Sequence, residues 1–477
     1  MTAAHDAFEP EWVWADDEGT SIYAQGYGRG LTVIFSFSAD KQKPPTALAN
    51  RVCTKYEEVE TEDPASTFPT IKDLHAAIWG AIRHIWPRCT SHPDLRDKLD
   101  AVVDVDSIDS SLEKTTWTVY SHPCFPQFVR NLADETWSMT PVDPGTSIDF
   151  ARIIRYEQLG GRGCTTRVRL PTGEYAVFKG VDFRTALQYT DHEGDAILRN
   201  LIRVWRRECN TLQQLPPHPN ILLPPTMLAA IRWPDRTSPP VYCGGLFPFY
   251  PGGSISSRID DSNKKGLRLP LETKAHWCAN MAAAVFHVHR VAKTYHMDIK
   301  PGNFVADARE NLILCDWEQH DAPATTLAPE ADGTWDVVED GPISQRERSP
   351  LRYIKYSGPP RRNVEKDVLG DAPWHTWNVF PSWSKEHPWA LELAEVFSLG
   401  RSMWMLLQQP NTGFEDIAHP DQLITTWDRK SEDIPVTWKH MVDQCMSRDP
   451  NERPDLSELV KFWNKEWSAQ KAAHEKE

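Results

Sequence analysis

The chain has 477 residues, of which 40% are hydrophobic and 25% charged, and its formal net charge is −15. Its length exceeds one ordinary core, and its composition is globular rather than disordered or fibrous. The acidic balance disfavours nucleic-acid binding, which needs a basic surface. The nine cysteines stand singly, and neither a signal-peptide pattern nor a membrane-length apolar run is present. We therefore expect a cytoplasmic or nuclear protein without membrane or nucleic-acid contacts, whose oligomeric state the sequence leaves open.

Residues 1–140 have the pattern of a mixed α/β accessory domain of unknown role. LTVIFSF (31–37) and WTVY (117–120) have the composition of strands. An amphipathic helix is predicted from Thr70, a capping residue, to Trp86, with Pro87 ending it. Its apolar stripe consists of Ile71, Leu74, Ile78, Ile82 and Ile85.

A polar, turn-rich stretch at 141–150 predicts a linker. Beyond it, strand-like runs dominate residues 151–250 and helical patterns dominate residues 251–468. Residues 469–477 read as a polar tail. A small sheet followed by a helical half indicates an α+β arrangement in two parts.

Two features of the strand-rich part could contact phosphate. The run LGGRGCTTRV begins at Leu159, and its glycines would let backbone N–H groups approach phosphate oxygens. The next strand, YAVFKG, places Lys179 after apolar residues, where its ammonium group could bridge phosphate oxygens. Each feature alone is common in proteins that bind no nucleotide.

A stronger pattern is YHMDIKPGNF (295–304), followed by LILCDWE (312–318). An acid, a base two residues later and an amide five residues later can converge from one short loop. Asp316 follows Asp298 by 18 residues, at the end of a strand-like run. Catalytic side chains often occupy such loops.

These strings resemble the catalytic loop H-R-D-x-K-x-x-N and the metal-binding D-F-G of eukaryotic protein kinases of the serine/threonine type. The resemblance implies that Asp298 accepts the proton of a substrate hydroxyl and that Lys300 steadies the transferred γ-phosphoryl group. It also implies that Asn303 and Asp316 hold magnesium ions.

The resemblance extends to the nucleotide-binding residues. The glycine turn fits G-x-G-x-x-G-x-V with Thr166 in place of the third glycine, and Lys179 matches the lysine of the third strand. Glu208, shortly before HPNIL (218–222), is the preferred partner of that lysine, and Glu193 is the alternative. PFYPGGSI resembles the segment that joins the two lobes. The residues assigned to ATP are Leu159, Gly161, Gly163, Val168, Ala176, Lys179, Glu208, Phe247, Pro248 and Tyr250.

Two motifs of the helical half also resemble the family. LAEVFSLGRSMWMLL (393–407) is similar to its buried central helix, with Glu395 at the acidic position. SRDPNERPDLSEL (447–459) is similar to its D-P-x-x-R-P motif, with Arg453 as a structural residue. The resemblance covers about two-thirds of the chain, residues 151–468. The motifs in this part are similar to those of a divergent group of fungal protein kinases.

Several positions depart from the family pattern. Met297 replaces the arginine that usually receives an activation-loop phosphate, which makes switching by loop phosphorylation less expected. Glu318 replaces the glycine of D-F-G, so the backbone there is less free to change conformation.

The region from about 320 to 380 predicts a long insert in the activation segment, with Ser349 as a possible phosphosite. Phe380-Pro381-Ser382 is the preferred equivalent of A-P-E by position. This choice leaves Arg453 without its usual glutamate, and Glu330 of the earlier Ala328-Pro329-Glu330 is the alternative partner.

We therefore expect a bilobal protein kinase fold with a β-rich N-lobe and a helical C-lobe, preceded by the accessory domain. Its activity would be ATP- and Mg²⁺-dependent phosphorylation of serine and threonine hydroxyls in protein substrates. One alternative is a pseudokinase scaffold that binds nucleotide without transferring phosphate. Another is a small-molecule phosphotransferase, which HPNI and the late D-P-x-x-R-P motif disfavour.

Overall fold

The computed structural model describes residues 8–15, 21–28, 31–53, 71–89, 100–106, 116–136, 147–159, 165–187, 192–233, 238–319, 322–339, 350–358, 379–411, 414, 417 and 419–474. Contacts divide the chain into two units. The first comprises Met1–Ile202 and Pro225–Phe249, and the second comprises Arg203–Pro224 and Tyr250–Glu477. Within the described residues, no helix combines the length and apolar character needed to cross a membrane.

The first unit begins with a five-stranded sheet whose strands follow chain order. Neighbouring strands are antiparallel except for the parallel third and fourth strands. The predicted strands at 31–37 and 117–120 are confirmed. The strands are β1 (Phe8–Ala15), β2 (Ser21–Gly28), β3 (Leu31–Ser38), β4 (Ala101–Asp106) and β5 (Thr116–Ser121).

The connection between β3 and β4 contains helix α1 (Ile71–Cys89). Its stripe residues Leu74, Ile78, Ile82 and Ile85 are buried in one core with Phe35, Phe37 and Val103. The periodicity therefore predicted the buried face correctly. The prediction that Pro87 ends the helix is wrong, because the helix continues to Cys89. Pro87 lies in the last turn, so its missing N–H removes one hydrogen bond near an end that is about to terminate anyway. Thr70 and the side chain of Ile71 lie outside the described residues.

The second sheet of this unit has six strands in the order β6-β10-β11-β9-β8-β7. It is antiparallel except between β6 and β10. Strands β9 and β11 approach closely at two glycines, where a Cβ on Gly180 would lie 2.2 Å from the carbonyl oxygen of Cys243. The strands are β6 (Ser147–Asp149), β7 (Ile154–Gln158), β8 (Thr165–Arg169), β9 (Tyr175–Gly180), β10 (Met227–Ile231) and β11 (Val241–Pro248).

Three helices accompany this sheet. Helix α2 (Phe125–Thr136) precedes it, the short helix α3 (Phe183–Leu187) follows β9, and α4 (His192–Gln214) follows α3. The long helix α4 is continuous, and its residues from Arg203 onward are grouped with the second unit.

The second unit is mainly helical. Its central element is α8, which is buried from Ala390 to Gln408, so the predicted buried helix at 393–407 is confirmed. The last helix extends to His474, into the predicted polar tail. The elements are α5 (Ile255–Lys264), α6 (Leu271–Arg290), β12 (Phe304–Ala306), β13 (Leu312–Leu314), β14 (Trp335–Glu339), β15 (Leu351–Lys355), α7 (Phe380–Glu386), α8 (Pro388–Gln408), α9 (Val436–Cys445) and α10 (Leu456–His474). The chain is thus α+β.

Candidate active site

The loop between α6 and β12 brings three predicted catalytic side chains together. Lys300 Nζ donates to Asp298 Oδ2 at 2.6 Å, and Asn303 Nδ2 donates to the same oxygen at 2.9 Å. Asn303 Nδ2 also donates to the Asp298 carbonyl oxygen at 2.8 Å. The second carboxylate oxygen, Oδ1, is buried and has no hydrogen-bond partner among the described residues. Asp298 is therefore held at one oxygen while the other remains available to an incoming donor.

Glu395 of α8 fixes the backbone of this loop from below. Its Oε1 accepts hydrogen bonds from the backbone N–H groups of His296 and Met297, and its Oε2 bonds His289 Nε2 at 2.6 Å. Burial acts to raise the pKa of Glu395, but the hydrogen bond and charge of His289 outweigh it and lower the pKa. Met297 has a φ of 75°, a left-handed conformation that is unfavourable for a residue with a side chain. The bonds to Glu395 offset that strain.

Asp316 is brought to the loop by strand β13. Cys315, the preceding residue, donates its N–H to the Asn303 carbonyl at 2.8 Å, and its own carbonyl accepts from His296 Nε2 at 2.9 Å. Asp316 itself has a φ of 70°. Strain of this kind is concentrated at functional sites. The two hydrogen bonds of the Cys315 backbone thus help to hold Asp316 in its left-handed conformation.

Three carboxylates lie close together at the segment Asp316–Glu318. Trp317 is fully buried, and its backbone N–H donates to Glu208 Oε1 at 2.9 Å. Carboxylate oxygens of Glu208, Asp316 and Glu318 lie within 4.8 Å of one another. Sequence reasoning did not assign Glu318 to the site, although an acid in place of the D-F-G glycine was the signal. Carboxylate and amide oxygens are the ligands that Mg²⁺ prefers, so this donor set fits that ion.

The environment also alters the acidity of Asp298. Burial raises its pKa to about 6, and the negative charge of Asp316 adds to this effect, while Lys300 and Asn303 oppose it. A carboxyl group with a pKa near neutrality is suited to exchange a proton.

The predicted ATP residues of the first unit lie on two different faces of the sheet. Val168 pairs with Ala176, and Ala176 pairs with Pro248, so these three form one row across the strands. Lys179 lies three positions after Ala176 in an unbroken strand and therefore points to the opposite face. The structure does not bring Val168 and Ala176 to the face of Lys179.

The residues that do share the face of Lys179 are Val177, Phe247 and Arg167, which occupy one cross-strand row two positions away. The Arg167 guanidinium lies 5.5 Å from the ring centroids of both Tyr175 and Phe249. Sequence reasoning missed Val177 and Arg167. The signal was available, because the alanine of V-A-I-K stands two residues before the lysine, as Val177 does here.

The remaining predicted ATP residues are placed as follows. Leu159 is exposed, Lys179, Glu208 and Phe247 are buried, and Thr166 is buried in β8. Tyr250 belongs to the second unit, where burial and the neighbouring Cys315 and Asp307 raise its pKa. Gly161, Gly163 and the side chain of Glu193 lie outside the described residues.

Arg453 is paired with Glu330 in the second unit. The guanidinium makes two hydrogen bonds to the carboxylate, and its Nη1 also donates to the Leu393 carbonyl at 2.9 Å. Both side chains are almost fully buried. The alternative that assigned Glu330 to Arg453 is therefore confirmed, and Phe380-Pro381-Ser382 instead opens helix α7.

The predicted insert contains an ordered hairpin after Glu330. Strands β14 and β15 pair in antiparallel fashion, and buried Val337 and Leu351 pack in one core with Met297. Ser349 and residues 359–378 lie outside the described part of the chain.

No family model matches the chain. It is similar to a probable serine/threonine-protein kinase of Dictyostelium discoideum, with 22% identity over 272 residues. The match covers 55% of this chain but only 23% of that protein, so the chain spans about a quarter of the relative's length. This partial similarity supports a kinase-like character.

Proposed function

We propose that the chain is a bilobal protein kinase that transfers the γ-phosphoryl group of ATP to serine and threonine hydroxyls of proteins. The observation that carries the proposal is the state of Asp298. Lys300 and Asn303 bind one carboxylate oxygen, and the other is buried without a hydrogen-bond partner in the described structure. A buried acceptor without a donor is costly, and the hydroxyl of a substrate is the donor that the motif implies.

The side chains around Asp298 divide the work of the reaction. Asp298 Oδ1 would accept and orient the substrate hydroxyl, and take its proton as the phosphoryl group is transferred. Lys300, already beside the carboxylate, would steady the γ-phosphoryl oxygens by its positive charge. Phosphoryl transfer requires mostly such positioning and charge neutralisation.

The magnesium site would be formed by Asp316 and Asn303, and the carboxylates of Glu208 and Glu318, which lie close to Asp316, would add negative charge around it. The Asn303 amide nitrogen donates to Asp298, which leaves its oxygen as the group available to a cation. When bound, magnesium would neutralise charge on the ATP phosphates. In the first unit, Lys179 would bind phosphate oxygens, with Val177 and Phe247 beside it on the same face of the sheet.

The direct test is phosphate transfer from labelled ATP to a mixture of serine- and threonine-containing peptides in the presence of Mg²⁺. We expect transfer by the wild type and a loss of at least about a hundredfold in Asp298→Asn and Asp316→Asn. Asp260→Asn, which removes an exposed carboxylate of α5, is the matched control and should retain full activity. Equal activity in Asp298→Asn and the wild type would refute the assignment of the base.

A kinase-like scaffold without transferase activity is the second candidate. It is favoured by Arg167, a charged residue on the face of Lys179, whereas apolar Val168 lies on the other face. A cation there offers adenine a less apolar surface than a valine would. The absence of any transfer by the wild type, together with weak nucleotide binding in a thermal-shift assay, would select this candidate.

A further inference from the structure

Helix α2, which precedes the predicted kinase domain, contacts the segment that follows strand β9. The ring of Phe183, at the start of α3, is surrounded by His122, Phe125 and Phe128, with ring centroids 5.4, 5.1 and 5.6 Å away. Phe183 comes four residues after Lys179. These edge-on and tilted contacts are favourable beyond the area they bury. The end of the lysine strand is therefore anchored to α2.

The same helix is bound to α4 by a polar network. Asn131, which is 1% exposed, donates a short hydrogen bond to Asp195 and accepts one from Arg199 at 2.8 Å. Arg199 closes the triangle by donating its Nε to Asp195 Oδ2 at 3.1 Å. It also lies 3.6 Å from carboxylate oxygens of both Asp134 and Glu135 at the end of α2.

The network requires an amide at position 131. The amide of Asn131 donates its nitrogen to a carboxylate, and its oxygen accepts from the guanidinium of Arg199 and from the amide of Gln127, so both halves of the side chain are engaged. A carboxylate at position 131 would face Asp195 with like charge, and an apolar residue would leave both partners without their bonds.

We propose that α2 is a built-in brace of the kinase domain, in which Asn131 and Arg199 are positioning residues. Within the first unit, the brace joins the segment after β9, the strand that carries Lys179, to the beginning of α4. Helix α2 then contributes to nucleotide binding through the position of the strand that carries Lys179. This inference rests on the proposed function.

The test compares a single variant at Asn131 with a double variant that exchanges the Asn131 amide and the Asp195 carboxylate. Asn131→Asp should raise the KM for ATP and lower kcat/KM about tenfold, within the coupling range of contacting residues. The double variant Asn131→Asp with Asp195→Asn restores one amide, one carboxylate and Arg199, and should recover activity to within about threefold of the wild type. Lys41→Ala is the matched control, because it removes an exposed cation of the first unit that takes no part in this network.

The outcomes separate the brace from the proposed function. Wild-type activity in Asn131→Asp, or equal losses in the single and double variants, would overturn the brace while leaving the kinase assignment intact. If the wild type binds ATP without transferring phosphate, the kinase assignment fails. The dissociation constant for ATP then replaces KM, and the same pattern of loss and rescue supports or overturns the brace. A wild type that neither transfers phosphate nor binds ATP overturns both.

Discussion

At the scale of single residues, the acidity of Asp298 leads to a pH-dependent rate. Burial and the nearby Asp316 raise its pKa to about 6. A proton acceptor works only when deprotonated, so kcat/KM should be constant above this pKa and fall about tenfold for each pH unit below it. Mg²⁺ at Asp316 would offset the charge that adds to this shift, so the pH profile of peptide phosphorylation is measured at limiting and at saturating Mg²⁺, and its fall should move to lower pH as Mg²⁺ increases. Circular dichroism at each pH provides the control for unfolding, and a profile that stays flat down to pH 5 at limiting Mg²⁺ in the folded protein would contradict the assignment.

The sequence predicted which side chains of the catalytic loop lie together better than it predicted which residues pair over long distances in the chain. The spacing within 295–304 placed Asp298, Lys300 and Asn303 within hydrogen-bonding distance because a single short loop carries all three. The partner of Arg453 lies 123 residues away in sequence. The local string Ala328-Pro329-Glu330 offered Glu330 as the alternative, but position along the chain favoured Phe380-Pro381-Ser382, and only the folding of these segments together decides the pair.

At the scale of elements, one side chain from outside the hairpin of β14 and β15, that of Asn451, makes two hydrogen bonds to its backbone. Asn451 Oδ1 accepts the Leu351 N–H at 2.7 Å, and its Nδ2 donates to the Leu351 carbonyl at 3.0 Å. These two bonds satisfy the backbone N–H and C=O of Leu351 as a neighbouring strand would. Leu351 is buried beside Val337 and Met297, so its backbone has little access to replacement bonds from water.

We therefore expect Asn451→Ala to loosen the hairpin locally. The loss of two hydrogen bonds to buried groups should cost about 1–3 kcal/mol of local stability, and amide exchange in β14 and β15 should accelerate by about tenfold or more. Exchange in α6 should be unchanged. Asn464→Ala, on the exposed side of α10, is the control. Unaltered exchange in the hairpin would show that apolar packing alone holds it.

Strands and helices were predictable where a period of two or 3.6 residues was clear, as in β3 and α1. The direction of each strand side chain was harder, because a displacement of one residue exchanges the two faces. The register places Val177 on the face of Lys179 and Ala176 on the opposite face, which the sequence alone did not show. The sequence did not predict that α2 packs against α4, because Asn131 and Asp195, which join these two helices, are 64 residues apart.

At the scale of the whole molecule, the net charge of −15 should bias the choice of peptide. An acidic surface raises the local concentration of cationic substrates, and salt weakens this effect as the Debye length shortens from about 14 Å to about 4 Å between 0.05 and 0.5 M. The KM for a lysine-rich peptide should thus rise several-fold over that range, while kcat stays constant. A peptide with each lysine replaced by glutamine should show a KM that is higher at low salt and insensitive to salt. Equal salt dependence for the two peptides would mean that the acidic residues do not attract the substrate. Local contacts would then decide which peptide binds.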